Sequence, residues 1–388
     1  MSPASMFPVL SRAAVTAGAF ALAVSVSPLA AATSTANIPV AASPDGVVFA
    51  PDGTRAYVNS NTSGPGAVSV IDTAARKTVA TVRTGRGTWH HEISPDGRRV
   101  YAGNYHDGTV SVIDTTANRV TATIRAGVQR SAPWPSLVPG GRKLYVAVGN
   151  GSNAEGSVQV VDTATNRITG AIRIGKRRPD VKGFSRDGRQ AYLSGPDGRT
   201  LHTVDTATDR VTRSIRVTDA QDRRDVLDFE LSPDGRRAYL NDRSLSGNGE
   251  TALTVVDLAA GKVLSRTLVK DLWSMKLTRD GRWLYATKYD RNPDSPQTLV
   301  VIEAATSRVV FTDPASAGQG IFGADGRFMY TLGRDNAVQV FDTLVRRVVQ
   351  EISVKGKNSG HLAFTPNDRQ LYVVNEGSDD VTVIDLAG

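Results

Sequence analysis

Short runs of β-branched and aromatic residues, each four to six positions long, alternate along this chain with polar turns, and the alternation repeats as a unit. The clearest copy reads Ile93-Ser94-Pro95-Asp96-Gly97-Arg98-Arg99-Val100-Tyr101, then Thr109-Val110-Ser111-Val112-Ile113-Asp114-Thr115, then Arg119-Val120-Thr121-Ala122-Thr123-Ile124. The turn marker recurs at Asp52, Asp96, Gly140, Asp187, Asp234, Asp280, Asp325 and Asn367, and a second marker at Asp72, Asp114, Asp162, Asp205, Asp257, Glu303, Asp342 and Asp385. The spacing of about 45 residues is that of radial four-stranded repeats. Each copy divides into four strands: a run before Pro-Asp-Gly, a run carrying Tyr, an alternating Val-x-Val-Ile-Asp stretch, and Arg-Val-Thr-x-x-Ile-Arg. Pro pre-sets φ in the first turn and Gly supplies a positive φ there. Outside the N-terminal segment no helical periodicity is sustained.

A single four-stranded sheet of this kind has two apolar faces and cannot stand alone; packing eight radially buries both. The pattern therefore predicts an all-β chain, one β-propeller of eight blades with four antiparallel strands each. Seven blades is the alternative, if the sixth copy, interrupted by Asp290 to Pro296, is not a blade. The last copy ends after its third strand at Thr382 to Leu386, and Asn37 to Ala41 resembles the end of a fourth strand. The N-terminus is thus expected to supply the outer strand of the last blade and close the ring, leaving no open edge. Tyr101, Tyr145, Tyr192, Tyr239, Tyr285, Tyr330 and Tyr372 recur at the blade period and are expected to be buried scaffold.

Residues 1–32 read as a signal peptide: Arg12, a small-apolar stretch from Ala13 to Pro28, and an Ala30-Ala31-Ala32 cleavage site. Residues 33–388 are then the propeller domain, secreted or associated with the cell envelope, with no membrane-spanning segment in the mature chain. Cysteine is absent, which removes disulfides, thiolate metal sites and thiol nucleophiles together. The net charge of +8 sits largely on Arg in turns and outer strands, such as Arg83, Arg125, Arg173 and Arg216. That distribution suits a solvated rim, with attraction to anionic surfaces as the other reading. It is not focused in a stripe, which makes nucleic acid an unlikely partner.

The repeat Ser94 to Tyr101 followed by Gly108 to Thr115 resembles the YVTN-type β-propeller family of exported bacterial and archaeal proteins and surface-layer modules. The resemblance spans residues 37–388 and implies scaffold and export. Lactonases, a streptogramin lyase and domains of copper and heme oxidoreductases are similar more loosely, and none of their catalytic motifs maps here. The five His are too few for a multi-histidine copper cluster, and there is no Cys-x-x-Cys-His for covalent heme.

Function must lie where the copies differ. The Pro-Asp-Gly and Asp-Thr turns are near-identical and share one face of the ring. The loops on the other face vary: Arg86 to Glu92, Gln129 to Trp134, Lys176 to Asp180, Asp222 to Asp228, Lys270 to Trp273 and Lys357 to His361. Aligned on the turn Asp, the copies place Gly46, His90, Trp134, Val181, Asp228, Ser274, Gln319 and His361 in one ring at the channel mouth, with Glu92, Asp45, Asp180 and His106 nearby. Trp89, His90, Trp134, Arg178, Asp228, Trp273 and His361 are the candidate binding residues, aromatic anchors with Arg130, Arg177 and Arg224 about them. The expected partner is a protein, glycan or other anionic or polar ligand, held by a monomer. The alternative is a small-molecule enzyme, a lyase or lactonase-like hydrolase, with His90, His361 and Asp228 as its catalytic candidates and a divalent metal as its possible cofactor. No Ser or Lys stands in a nucleophile elbow. The Gly-rich loops at Asn150 to Gly156 and Ser246 to Gly249 open no helix and are not phosphate cradles.

Overall fold

The computed structural model describes residues 33–131, 133–149, 156–175, 178–195, 198–218, 224–244, 250–288, 298–314, 320–333, 336–357 and 359–386. The proposed signal segment lies outside them. Among the described residues there are eight four-stranded antiparallel sheets, each built from strands consecutive in sequence except one. That exception is the last blade, where Thr33–Pro39 pairs with Asp380–Asp385 through Asn37 opposite Thr382 and Ile38 opposite Val381. The ring closes as expected, although the closing strand begins earlier and ends at Pro39. The sixth copy is a full blade: Leu272–Leu277, Trp283–Lys288, Thr298–Glu303 and Arg308–Asp313. The seven-bladed alternative falls.

The first strands of neighbouring blades contact one another, so they line the central channel, and the fourth strands form the outer rim. Outer strands alternate exposed and half-buried positions, as in Arg119–Arg125, whereas second strands such as Arg99–Asn104 are buried almost throughout. The core is made between blades rather than within them. Tyr57, Val68, Val70 and Val82 of blade one pack with Val100, Ala102 and Ile113 of blade two. At the closure Ile38, Val381 and Val383 pack against Val47, Ala56, Val58 and Ile71. All seven expected Tyr are buried, and Tyr57 is an eighth member of the set.

The second turns are braced by the carboxylate of their marker residue, as in blade three. Asp162 Oδ1 accepts from the Thr165 N–H at 2.8 Å and from the Thr165 hydroxyl at 2.8 Å, and the residue before the outer strand takes a left-handed conformation, as at Asn118, Asn166 and Asp209. In the first turn Asp96 accepts from Ser94 and from the Arg98 N–H. These local bonds set the hairpins without help from distant parts of the chain.

Candidate functional site

Six of the seven candidate binding residues lie in strands rather than loops. Trp89 and His90 lie in the inner strand Thr88–Ile93, Trp134 opens Trp134–Leu137, and Asp228, Trp273 and His361 lie in Arg224–Leu231, Leu272–Leu277 and Ser359–Phe364. The expectation of loop residues missed this because several inner strands carry a bulge at their entry, which hides the strand periodicity. In blade two the pairing slips between Thr88 and His90, leaving Trp89 as the extra residue. Asp45 and Trp273 occupy the same place in blades one and six. A bulge bends the strand and re-aims its side chains.

Two bulges are pinned from the preceding blade. Asn59 Nδ2 donates to the carbonyls of Thr88 (2.8 Å) and Trp89 (2.9 Å). Asn241 Nδ2 donates to those of Leu272 (3.2 Å) and Trp273 (2.9 Å). Both Trp so held remain open: Trp89 is 44% and Trp273 43% exposed. Sequence reasoning passed over Asn59 and Asn241, although each stands two residues after a repeat Tyr, where the other copies carry no Asn.

Four candidates come together across blades two to four. The His90 imidazole stacks on the Trp134 ring, centroids 4.3 Å apart and planes at 17°, and Trp89 lies 6.4 Å from Trp134. The Arg178 guanidinium also lies over the Trp134 ring, at 5.9 Å, and pairs with Asp180 at 2.9 Å. Tyr105, 5.6 Å from Trp89, and His106, edge-on to Tyr105 at 5.0 Å, extend the surface from the loop between the second and third strands of blade two. Close approach of blade three depends on Gly103, which pairs with His90. A Cβ there would stand 2.3 Å from the Pro133 carbonyl oxygen, so any larger residue pushes Trp134 away.

His90 Nε2 lies 3.8 Å from Glu92 Oε1, but Glu92 is committed elsewhere, its Oε2 accepting from the Leu137 N–H at 2.8 Å. His91, adjacent, points the other way: it is buried, bonded to the Tyr57 carbonyl at 2.9 Å, and burial depresses its pKa to about 3. His361 opens to the channel mouth. Desolvation by the surrounding walls still lowers its pKa, and repulsion from His90 adds to this. Burial raises the Asp45 carboxyl, partly offset by a bond from Asn59.

The remaining candidates stand apart. Asp228 accepts the Phe229 and Met275 N–H groups, each at 2.9 Å, and so ties blade five to blade six. Trp273 lies under Arg243 at 5.3 Å. Gln319, Arg177 and the side chain of Arg224 are outside the described residues. Among the described residues no three His, Asp or Glu come together as a metal site, which removes the geometric support for a divalent ion between His90 and His361. Two grooves of about 370 Å³ lie on the opposite face, between blades two and three at Ser94, Arg99 and Thr163 and between blades eight and one at Gly53, Thr73 and Gln370. They occupy equivalent inter-blade positions, and recurrence at the blade period marks them as scaffold.

A family model for the Cytochrome D1 heme domain matches residues 38–139, less than half of the chain. No curated protein matches the sequence. Among solved structures, the chain is similar to Kuenenia stuttgartiensis Hydrazine Synthase, with TM-score 0.55 and 19% identity over 89% of this chain and 96% of that one. It is also similar to the dihydro-heme d1 dehydrogenase NirN in complex with DHE, with TM-score 0.62 and 22% identity over 79% of this chain. It spans only 65% of the NirN chain. At these identities the likeness carries the fold and not the chemistry. Sheet topology and comparison agree on one identity: the chain is an eight-bladed β-propeller.

Proposed function

We propose that this protein is an exported, YVTN-type propeller that binds a planar, polar or anionic ligand on its variable face. The observation that carries the reading is the aromatic cluster of Trp89, His90 and Trp134 with Arg178 over it, in which Trp89 is the open ring. Stacked rings give contact area to any flat ligand, and a guanidinium beside them selects carboxylate or another anion. Buried Tyr and braced turns account for the rest of the repeat without any ligand. A glycan or a peptide rich in carboxylates fits the same surface, and the protein acts on it as a monomer.

A heme-type ligand is the first one to test. The matched stretch 38–139 contains Trp89, His90, Tyr105, His106 and Trp134, and it matches a heme domain. The donor set is compatible: His361 offers an imidazole, Trp89 presents an open ring, and Arg178 suits a tetrapyrrole carboxylate. Such a group would supply redox chemistry of its own, with His361 as the residue that would ligate its metal. The chain's residues would orient it by stacking and by ion pairing.

Titrating the mature protein with hemin and with a metal-free porphyrin carboxylate tests both levels, read by Trp fluorescence and by the porphyrin absorption band. Binding of both, weakened by ~2 kcal/mol in Trp134→Ala, supports the shelf. Binding of hemin alone, lost in His361→Ala, favours ligation of the metal by His361. Undiminished binding in Trp134→Ala defeats the assignment of the face.

A further inference from the structure

The turn between the third and fourth strands of blade seven departs from its siblings at three successive positions. In six other blades the two residues after Asp-Thr or its equivalent are small: Ala74-Ala75, Thr116-Ala117, Ala164-Thr165, Ala207-Thr208, Ala259-Ala260 and Ala305-Thr306. Blade seven has Leu344-Val345, which are 67% and 45% exposed. The backbone is nonetheless braced as elsewhere, with Asp342 Oδ1 accepting from the Leu344 N–H at 2.8 Å. Nothing in the hairpin requires the apolar pair.

The third departure is Arg346. It takes the left-handed position of the turn at φ 53, where the siblings mostly use Asn, Asp or Gly, the residues that tolerate it best. Arg76 is the other Arg so placed, and it is accounted for by its pair with Asp385 at 2.7 Å. Arg346 instead lies over the Trp283 ring at 5.1 Å and near Phe311 at 6.0 Å. Trp283, the one Trp away from the variable face, also has Arg282 at 5.8 Å. Arg347 is exposed immediately beyond.

We propose that this blade-seven turn is a docking tip for an anionic lipid surface. The tip is an exposed hairpin turn with Leu344 67% open, so it suits a medium into which it can project rather than a ligand it would enclose. Two exposed aliphatic side chains next to two Arg, with a Trp behind them, combine apolar insertion with headgroup pairing. Trp takes the interfacial depth between chains and headgroups. The neighbouring turn acids do not cancel the pairing. Asp342 is buried and bound to Arg327, and Asp325 accepts from the Arg327 N–H. Docking here would leave the channel mouth on the far side of the ring facing solution.

The siblings provide the test variant. Leu344→Ala, Val345→Thr and Arg346→Asn together rewrite the turn as the one in blade three, Ala164-Thr165-Asn166, so the fold is preserved and thermal melting should be unchanged or slightly raised. Wild type and variant are floated with vesicles of phosphatidylglycerol and phosphatidylcholine, and of phosphatidylcholine alone, at low and at 0.5 M salt. Arg125→Ala with Arg173→Ala removes outer-rim charge elsewhere and serves as the charge control. The proposal expects wild-type binding to anionic vesicles, a roughly tenfold weaker partition for the triple variant, and near wild-type partition for the control. It is overturned if wild type ignores anionic vesicles at low salt. It is equally overturned if the control loses as much as the triple variant, for then net charge alone explains the binding. Capture of the tip by another protein in place of vesicles would also sink it.

Discussion

The turn face and the channel of this ring shift their carboxylates in opposite directions. On the turn face, Asp72 is held below the usual range by the Ala75 N–H and Asp96 by the Ser94 hydroxyl, while Asp162 and Asp205 are lowered by the Thr165 and Thr208 N–H groups. At and below the mouth, burial raises Asp45 and Glu230. The first pattern is that of groups whose charge is spent on their own hairpin, copy after copy. The second comes from groups enclosed by the channel and linked across blades, as Glu230 is to Lys276 at 2.9 Å. One face fixes the strands locally, and the other fixes the blades to each other and holds what differs between them.

The sharpest way to break this division of labour is to open the ring. Deleting residues 33–42 removes the strand that pairs with Asp380–Asp385 and exposes Ile38's buried partners. The deletion is expected to remove most of a global stability on the order of 10 kcal/mol and to expose an unpaired edge. Thermal melting and size-exclusion chromatography should then show an unfolded or self-associating chain. A truncated protein that melts like the intact one would mean that closure contributes nothing, and that the blades are held by the face contacts alone.

Next in size is the scaffold itself. Tyr239→Ala, in the cluster that joins blade five to blade six, should cost ~3–5 kcal/mol in denaturant unfolding. If the faces are separable, binding at the shelf per folded molecule stays as it was.

This scaffold was legible in the chain because it is local. Asp, Gly and Pro fix hairpins within six residues, Tyr marks the inter-blade core, and repetition multiplies a weak signal eight times. The shelf was legible only as a place. That Trp89, His90 and Trp134 belong to one mouth followed from alignment, but the stacking of His90 on Trp134 follows from the gap at Gly103, and the aim of Trp89 from a bulge pinned by Asn59. Register slips of one residue leave no trace in composition or periodicity. Asp228 illustrates the cost: its ring position made it a catalytic candidate beside the imidazoles, and its oxygens take two backbone N–H groups. The adjacent His90 and His91 also read alike, yet one faces the mouth and the other the core.

That last pair yields a pH test. His91 is buried with its pKa depressed to about 3, against about 6.5 in an unfolded chain. Between these values the unfolded state binds a proton that the folded state does not, so stability rises with pH across the window and is lost as pH falls through it. The loss is on the order of 4 kcal/mol by pH 3, with the first part already visible at pH 5. Urea unfolding of the wild type and of His91→Gln between pH 7 and pH 4 should show a shallower slope in the variant. Equal slopes would mean that His91 is not the buried titrating group, and that the turn-face carboxylates, which lose their advantage only near and below their unfolded pKa of about 4, dominate.

The smallest expected effect is the most discriminating. Gly103→Ala adds one methyl group on a strand whose backbone has no need of glycine's conformational range, and that methyl meets the Pro133 carbonyl. Blade three must shift outward by enough to separate Trp134 from His90, while every turn-face bond stays in place. The stack is one aromatic contact of ~1 kcal/mol, so ligand affinity at the shelf should fall by about fivefold, with a change in Trp fluorescence in the free protein. Overpacking costs stability as well, by ~1–3 kcal/mol, so binding has to be measured well below the melting transition. Trp134→Ala provides the reference: in the double variant with Gly103→Ala the second change should add nothing, because the ring it displaces is gone. Additive losses would place the effect of Gly103 elsewhere, and would separate the shelf from the inter-blade approach that forms it.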